Sequence, residues 1–523
     1  MRSSGPPALT TDRRLGAGPP VRTGTRAAFL PVTEIGGERH LVRSDLIGPL
    51  PEPPVLARDG ALACLAQITD LHVTDVQSPA RFEFLNRYWD DARFRELLTM
   101  QRPQETMNPH AIDSMVQTIN RVEEGPLTGA PLQLLVMTGD SVDNTQRNEL
   151  SNFLALMDAG SVRPDSGTLG YEGVQATTWP GDFYWKPDGA RDADVFQKDL
   201  GFPSMPGVLE QATLQFQADG LRIPWLGCYG NHEEVCQGVG LVTSGFAAGM
   251  AGSRKAYSLP PGIDPETAVE LFVRSPETFM QGPAFHVSAD PERRPLNRRD
   301  FVIAHLASGG HGFTQRNRED GTAYYVHDSG AVRFITLDTV CGAGGADGNI
   351  DQEQLRWLEE QLKAVHSSYT SSDGTLVRTS HEDRVVVLLS HHGLDTLANP
   401  RAQDRSGELL ELIHRFRNVV LWLNGHIHAN RITPRPDPAG GPGFWEVTTS
   451  SIVDWPCQAR LVELFNVPGD MLAIGCTMLD HEGGDLARLH RELAANVPYR
   501  GFDTWHQGGH EDRNAVLLLR RPF

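Results

Sequence analysis

Apolar runs of strand length recur along the chain, and several end in polar residues. The first is Ala61 to Ile68. Ile112, Met115, Val116, Ile119 and Val122 then fall at helical spacing, which places them on one buried face. Leu134 to Met137 predicts a second strand, and Leu150, Phe153, Leu154 and Met157 a second helix. Arg222 to Cys228 reads as a third strand, weakened by Pro224, which has no N–H to donate. A loop-rich stretch runs from about 235 to 320. Tyr324 to Val326 and Val332 to Leu337 then form a hairpin pattern around Asp328-Ser329-Gly330. A helix stripe (Leu355, Leu358, Leu362, Val365) leads to Val385 to Leu389, a continuous apolar run of the parallel-strand kind. A helix through Leu409 to Phe416 and a strand at Val419 to Leu423 follow. Three more strand-like runs begin at Trp445, Arg460 and Met471, and the end of the chain carries a helix near 485–495 and the run Ala515 to Leu519.

Strands alternating with helices predict an α/β fold, and the β-rich stretch after 440 predicts a second sheet packed on the first. Residues 1–55, rich in Pro, Gly, Arg and Thr, read as a poorly ordered lead-in. The main domain is expected over 56–480, with insertions near 78–110, 160–220 and 235–320. Residues 481–523 are expected as a helical tail with a short strand.

Metal-ligand residue types cluster just after the strands. Asp70 and His72 follow the first, Asp140 the second, and Asn231 and His232 the third. His391-His392 follow Val385 to Leu389, and His426 and His428 follow Val419 to Leu423. In open α/β sheets ligands bind beyond the carboxyl ends of strands, so these sites converge although they span most of the sequence. Singly, each has an ordinary structural use. Asp70 and Asp140 suit helix caps, Gly230-Asn231 suits a turn, and the histidines suit exposed loops.

The net charge of −19 disfavours general nucleic-acid binding, because phosphate backbones are repelled. It suits a protein that holds cations. The six cysteines make no C-x-x-C pair; Cys64, Cys228 and Cys476, in apolar strand-like runs, read as reduced core residues, and a Cys228–Cys236 disulfide stays open. No apolar run is long enough for a membrane span. No export signal is readable; the compartment and oligomeric state stay open.

The order Asp-x-His (70–72), Gly-Asp-x-x-Asp (139–143), Gly-Asn-His-Glu (230–233), His-His (391–392) and Gly-His-x-His (425–428) resembles the signature of the calcineurin-like metallophosphoesterases. The resemblance covers roughly residues 60–480. It implies an α/β/β/α sandwich of two mixed sheets and two metal ions of the Mn, Fe, Zn, Co or Ni type. Asp70, His72 and His428 would bind one ion, and Asn231, His391 and His426 the other, with Asp140 bridging. A hydroxide held between the ions would attack a small-molecule phosphomonoester or phosphodiester. His232 would stabilise charge or protonate the leaving oxygen, with Glu233 orienting it.

Departures narrow the resemblance. Asp143 stands where purple acid phosphatases carry a tyrosine, and Asn144 where protein Ser/Thr phosphatases carry a phosphate-gripping arginine. Only 95 residues follow His428, too few for the substrate domain of 5′-nucleotidases. The broad bacterial-type group with cyclic-nucleotide and glycerophosphodiester phosphodiesterases remains. A binding or scaffold protein that kept the fold and lost catalysis is the second reading.

Overall fold

The computed structural model describes residues 7–49 and 60–523. The ends of the expected lead-in and the expected domain start at 56 lie outside the described residues. In chain order, the strands of the two large sheets are β1 (Leu41–Arg43), β2 (Ala61–Ile68), β3 (Leu134–Met137), β4 (Trp225–Gly227), β5 (Tyr325–Ser329), β6 (Val332–Thr336) and β7 (Val385–Leu389). They continue with β8 (Val419–Asn424), β9 (Arg431–Arg435), β10 (Phe444–Thr448), β11 (Gln458–Val467), β12 (Met471–Asp480) and β13 (Ala515–Arg520). The helices include α1 (Asn108–Ile119), α2 (Arg147–Met157), α3 (Gln352–Lys363), α4 (Ser406–His414) and α5 (Asp485–Ala495).

One sheet has seven strands in the order β4-β3-β2-β11-β12-β13-β1, and the other has six in the order β5-β6-β7-β8-β10-β9. Both are mixed. β4, β3 and β2 run parallel, while β11 is antiparallel to β2. β6, β7, β8 and β10 run parallel, with antiparallel strands at both edges.

The two sheets share a core. Leu65, Leu135 and Leu461 of the first cluster with Val387, Leu421 and Val447 of the second. On the far face of the second sheet, Val386, Leu388 and Trp422 pack on Leu355 and Leu358 of α3 and Leu409 and Ile413 of α4. Successive β7 residues thus enter different cores, which is why this strand reads as an unbroken apolar run. Ile112 and Met115 of α1 and Leu150 and Phe153 of α2 pack with β2 and β3. The fold class is an α/β sandwich of two large mixed sheets flanked by helices.

The described part of the lead-in does not fit the expectation of disorder. Residues 13–43 carry five short strands, and β1 pairs with β13 in the large sheet. That pairing also makes β13 an internal strand rather than a tail. The stretch from 235 to 320 is less loop-like than its sequence. It contains helices Ser244–Met250, Ala268–Arg274, Arg298–Ala307 and Gln315–Asp320 and the strand pair Arg254–Ala256 and Ala284–His286. Phe82, Phe84 and Phe94 from the 78–110 stretch pack with Phe246, Phe272 and Phe279, so the two stretches form one lobe. All six cysteines are free and buried, which removes the Cys228–Cys236 bridge. Among the described residues, no helix is long and apolar enough to cross a membrane.

Candidate metal centre

Strand register brings the motif loops together. Ile68, Met137 and Gly227 lie level across β2, β3 and β4, and Leu389, Leu423 and Val447 across β7, β8 and β10. Asp70, Asp140 and Asn231 therefore leave one sheet at one height, and His391, His426 and His428 leave the other. Ligand atoms of Asp70, Asp140 and His391 fall within 4.8 Å of one another, as do those of Asp70, His72 and His428. His72, Asp140 and His232 make a third such group, and His391, His392 and His426 a fourth.

The backbone is bent to do this. Asp70, His72, Asp140, His426 and His428 all have left-handed φ, between 46° and 70°. Each such residue costs on the order of 1–3 kcal/mol and persists only where its surroundings enforce it. Gly139 has φ +91°, and a Cβ there would stand 2.7 Å from His391 Nδ1, so this position needs glycine.

The outer ring nitrogens of His428 and His391 are hydrogen-bonded by protein groups, and that of His72 lies near a carboxylate without a hydrogen bond. His428 Nδ1–H donates to Asp454 Oδ2 at 2.7 Å, and His391 Nδ1–H to the Thr138 carbonyl at 2.9 Å. His72 Nδ1 lies 3.4 Å from Asp143 Oδ1. Each of the two hydrogen bonds leaves Nε2 facing inward, as in the tautomer that metal-binding histidines adopt. His72 Nε2 lies 3.1 Å from His428 Nε2, and His391 Nε2 lies 3.1 Å from Asp140 Oδ2.

The carboxylates are prepared in the same way. Asp70 Oδ2 accepts the Thr69 hydroxyl and the His426 N–H, at 2.7 and 3.0 Å, while Oδ1 is buried without a hydrogen-bond partner. Asp140 Oδ1 accepts the His232 N–H at 3.0 Å. Its Oδ2 lies 3.1 Å from His391 and 3.8 Å from His72. The Asn231 side chain donates to the Gly238 carbonyl at 2.9 Å, and its Oδ1 is buried and unpartnered. Unpartnered buried acceptors are costly, and a bound cation would satisfy them. Carboxylate, imidazole and amide oxygen together suit first-row transition metals.

Burial and charge act oppositely here. Burial would raise the Asp140 carboxyl, but the His391 and His232 charges hold it well below the usual range. Burial would lower His391, but Asp140 pushes it up to about 9, so a cation ligated by its Nε2 would displace a proton shared with Asp140. Burial lowers His72 to about 4 and His426 to about 3, so both stay neutral and able to ligate near pH 7.

Structural comparison returns loose likenesses. A dimetal phosphatase from Danio rerio matches with a TM-score of 0.38 at 11% identity, over 81% of this chain and 100% of that one. GAP50, the anchor in the inner membrane complex of Plasmodium, matches with a TM-score of 0.29 at 10% identity, over 83% and 95%. No protein-family model matches the chain, and no curated protein matches it significantly. Overlap this loose leaves the function to be argued from the side chains themselves.

Several neighbours have roles that the sequence does not announce. Asp454, in the loop after β10, carries no motif. Arg102 Nε donates to its Oδ1 at 2.9 Å. Asp143 is held by Arg81 Nε at 3.1 Å, and Arg81 is held in turn by Glu105. Glu233 does not orient His232. It accepts the N–H groups of Gly230, Asp140 and Ser141 at 2.7, 3.0 and 2.6 Å, tying the loops after β3 and β4 together. The Asp143 carbonyl instead accepts His232 Nδ1–H at 2.5 Å. His392 bonds through both nitrogens, to Thr339 and Ala346, which leaves no lone pair for a cation. His311 stacks on Trp225 with centroids 3.7 Å apart and is a packing residue. Trp422 and Trp445 are core residues.

Proposed function

We propose that this chain is a metal-dependent phosphoesterase hydrolysing a phosphomonoester or phosphodiester. The observation that carries the reading is the set of Nε2 atoms of His72, His391 and His428 around Asp70 and Asp140, with the His391 and His428 rings hydrogen-bonded at their far nitrogens and His72 Nδ1 3.4 Å from Asp143. Asp70, His72 and His428 would hold one cation. Asn231, His391 and His426 would hold a second, with Asp140 serving both. Bound there, two transition-metal ions would acidify water and neutralise phosphoryl oxygens.

The protein's own residues supply the rest. Asp454 and the Thr138 carbonyl orient the His428 and His391 rings, so neither imidazole has to reorient when substrate arrives. His232, with Nδ1–H donated to a carbonyl, presents Nε2 to the same space, 3.9 Å from Asp140 Oδ2. Its side chain is 17% exposed, so it can exchange protons with solvent and deliver one to a departing oxygen.

The test is a metal-reconstitution screen. Protein stripped with chelator is reloaded with Mn, Zn, Co or Fe and assayed on p-nitrophenyl phosphate and bis-p-nitrophenyl phosphate. Phosphomonoesters, cyclic nucleotides and phospholipid head-group diesters follow. The expected result is two ions per chain and turnover that chelator abolishes. Full metal loading without turnover of any ester would overturn the reading in favour of a binding protein.

A further inference from the structure

Among the buried atoms left without partners around the centre, His72 Nδ1 faces Asp143 at 3.4 Å without a hydrogen bond, and Asp70 Oδ1 and Asn231 Oδ1 are acceptors that suit a cation. Arg500 Nη1 is the opposite, a buried N–H donor on a positive group with no acceptor.

Arg500 lies just beyond the end of α5. Gly501 beside it packs so tightly that a Cβ would fall 2.3 Å from the Ala495 carbonyl oxygen, which anchors this turn against the helix. The guanidinium stands over Asp454, with Nε 3.4 Å from Oδ2. Asp454 does not need it. Its Oδ2 already accepts His428 Nδ1–H at 2.7 Å and its Oδ1 accepts Arg102 Nε–H at 2.9 Å. Arg102 approaches from the interior with 6% of its side chain exposed, whereas Arg500 is 22% exposed and sits on the solvent side. Burial and the neighbouring Arg102 charge weigh against its charged form, and Asp454, then Tyr499 and Asp70, lie near enough to favour it. Other buried cations nearby are committed. Arg81 bonds Glu105, Asp143 and the Met100 carbonyl, and Lys255 bonds Glu83 and the Ser78 carbonyl.

We propose that Arg500 grips an anionic oxygen of the substrate's phosphoryl group, its free Nη1–H completing the seat beside the metal centre. The inference rests on the phosphoesterase reading and adds a residue to it. A guanidinium presents paired N–H groups to phosphate oxygens. In this chain it would do so from the C-terminal side, whereas Asn144 is committed to the Ala80 carbonyl and the Gln237 N–H.

The test uses Zn-loaded full-length protein and inorganic phosphate, titrated calorimetrically, with metal content measured on the same samples. Arg500→Ala should keep both ions, because Arg102 still holds Asp454. Its phosphate affinity should fall about 10- to 100-fold, the usual worth of a hydrogen bond to a charged group. Arg500→Lys should weaken binding by less, since charge remains and the fork is lost. It decides the matter if Arg500→Ala does not fold, and affinity equal to wild type would then overturn the proposal. Affinity of Arg500→Ala within twofold of wild type at full metal load overturns it. So does metal loss in step with affinity loss, which would make Arg500 only a support for Asp454. Wild type that hydrolyses esters while Arg500→Ala is unimpaired removes this residue and keeps the enzyme. Wild type that binds phosphate through Arg500 but hydrolyses nothing keeps the anion seat and removes the enzyme.

Discussion

His428 donates its Nδ1 proton to Asp454 across 2.7 Å, and the two residues come from loops after different strands of one sheet. The pair fixes which nitrogen faces Asp70, 3.2 Å away. Asp454→Asn keeps the volume and removes the charge that holds the tautomer. Affinity for the ion near His428 should fall about 10- to 100-fold, read by metal titration of chelator-stripped protein. Unchanged affinity would show that the pairing does not govern ligation.

Asp140 lies within reach of histidines from both sheets. Asp140→Asn should loosen both ions and remove most activity, because a shared anionic oxygen is lost. Two ions per chain with near-wild-type turnover would contradict its placement as the bridge.

His232→Ala separates general acid catalysis from charge stabilisation. An alkoxide leaving group needs a proton in the transition state, and p-nitrophenolate does not. The rate should fall on the order of 10²–10⁴-fold with an alkyl phosphate and clearly less with the p-nitrophenyl ester, at unchanged metal content. Equal losses would leave His232 as a binding residue.

His366 gives a pH dependence away from the centre. Burial lowers it to about 4. Its Nδ1–H donates to the Leu362 carbonyl, and its Nε2 accepts the Asn418 N–H at 3.1 Å, so a second proton would set donor against donor. The unfolded chain takes up that proton near pH 6.5 and the folded chain only near 4. The contribution to stability is complete above 6.5 and is lost as pH falls through that window. Between pH 7 and 5 the wild type should lose about 2 kcal/mol more than His366→Gln, measured by urea unfolding with chelator present. Equal losses would remove His366 as the source.

The aromatic lobe predicts a stability effect. Phe82 is fully buried and meets Phe246, Phe272 and Phe279. Phe82→Ala should cost about 3–5 kcal/mol in lobe stability, seen as hydrogen exchange across 236–280 opening first. Uniform exchange over the whole chain would show that the lobe is not a separate unit.

The strands before the motifs are legible because each is a buried run ending at ligand-type residues. Val385–Leu389 has an apolar neighbour on both faces and shows it in sequence. β4 is shorter than its pattern because Pro224 cannot donate, and the strand starts at Trp225. β1 has three residues and partly exposed side chains, so no pattern marks it. Helices of six or seven residues such as Ser244–Met250, which includes two glycines, owe their stability to packing rather than propensity. Asp454 and Arg500 escape motif reading for another reason. Each acts through a contact distant in sequence, and nothing local in their surroundings signals it.

Thr449 Oγ1 donates to Gln67 Oε1 in the strand leading to Asp70, and the two lie 382 positions apart. β2 likewise takes β3 as one neighbour and β11 as the other. A chain emerging from the ribosome can pair β2 with β3 early, yet it lacks β11, Asp454 and the C-terminal histidines until most of synthesis is over. Contacts this distant form late and slowly. Ions captured during translation would meet an incomplete ligand set, so a chain that holds metal at this centre would fold first and load it afterwards.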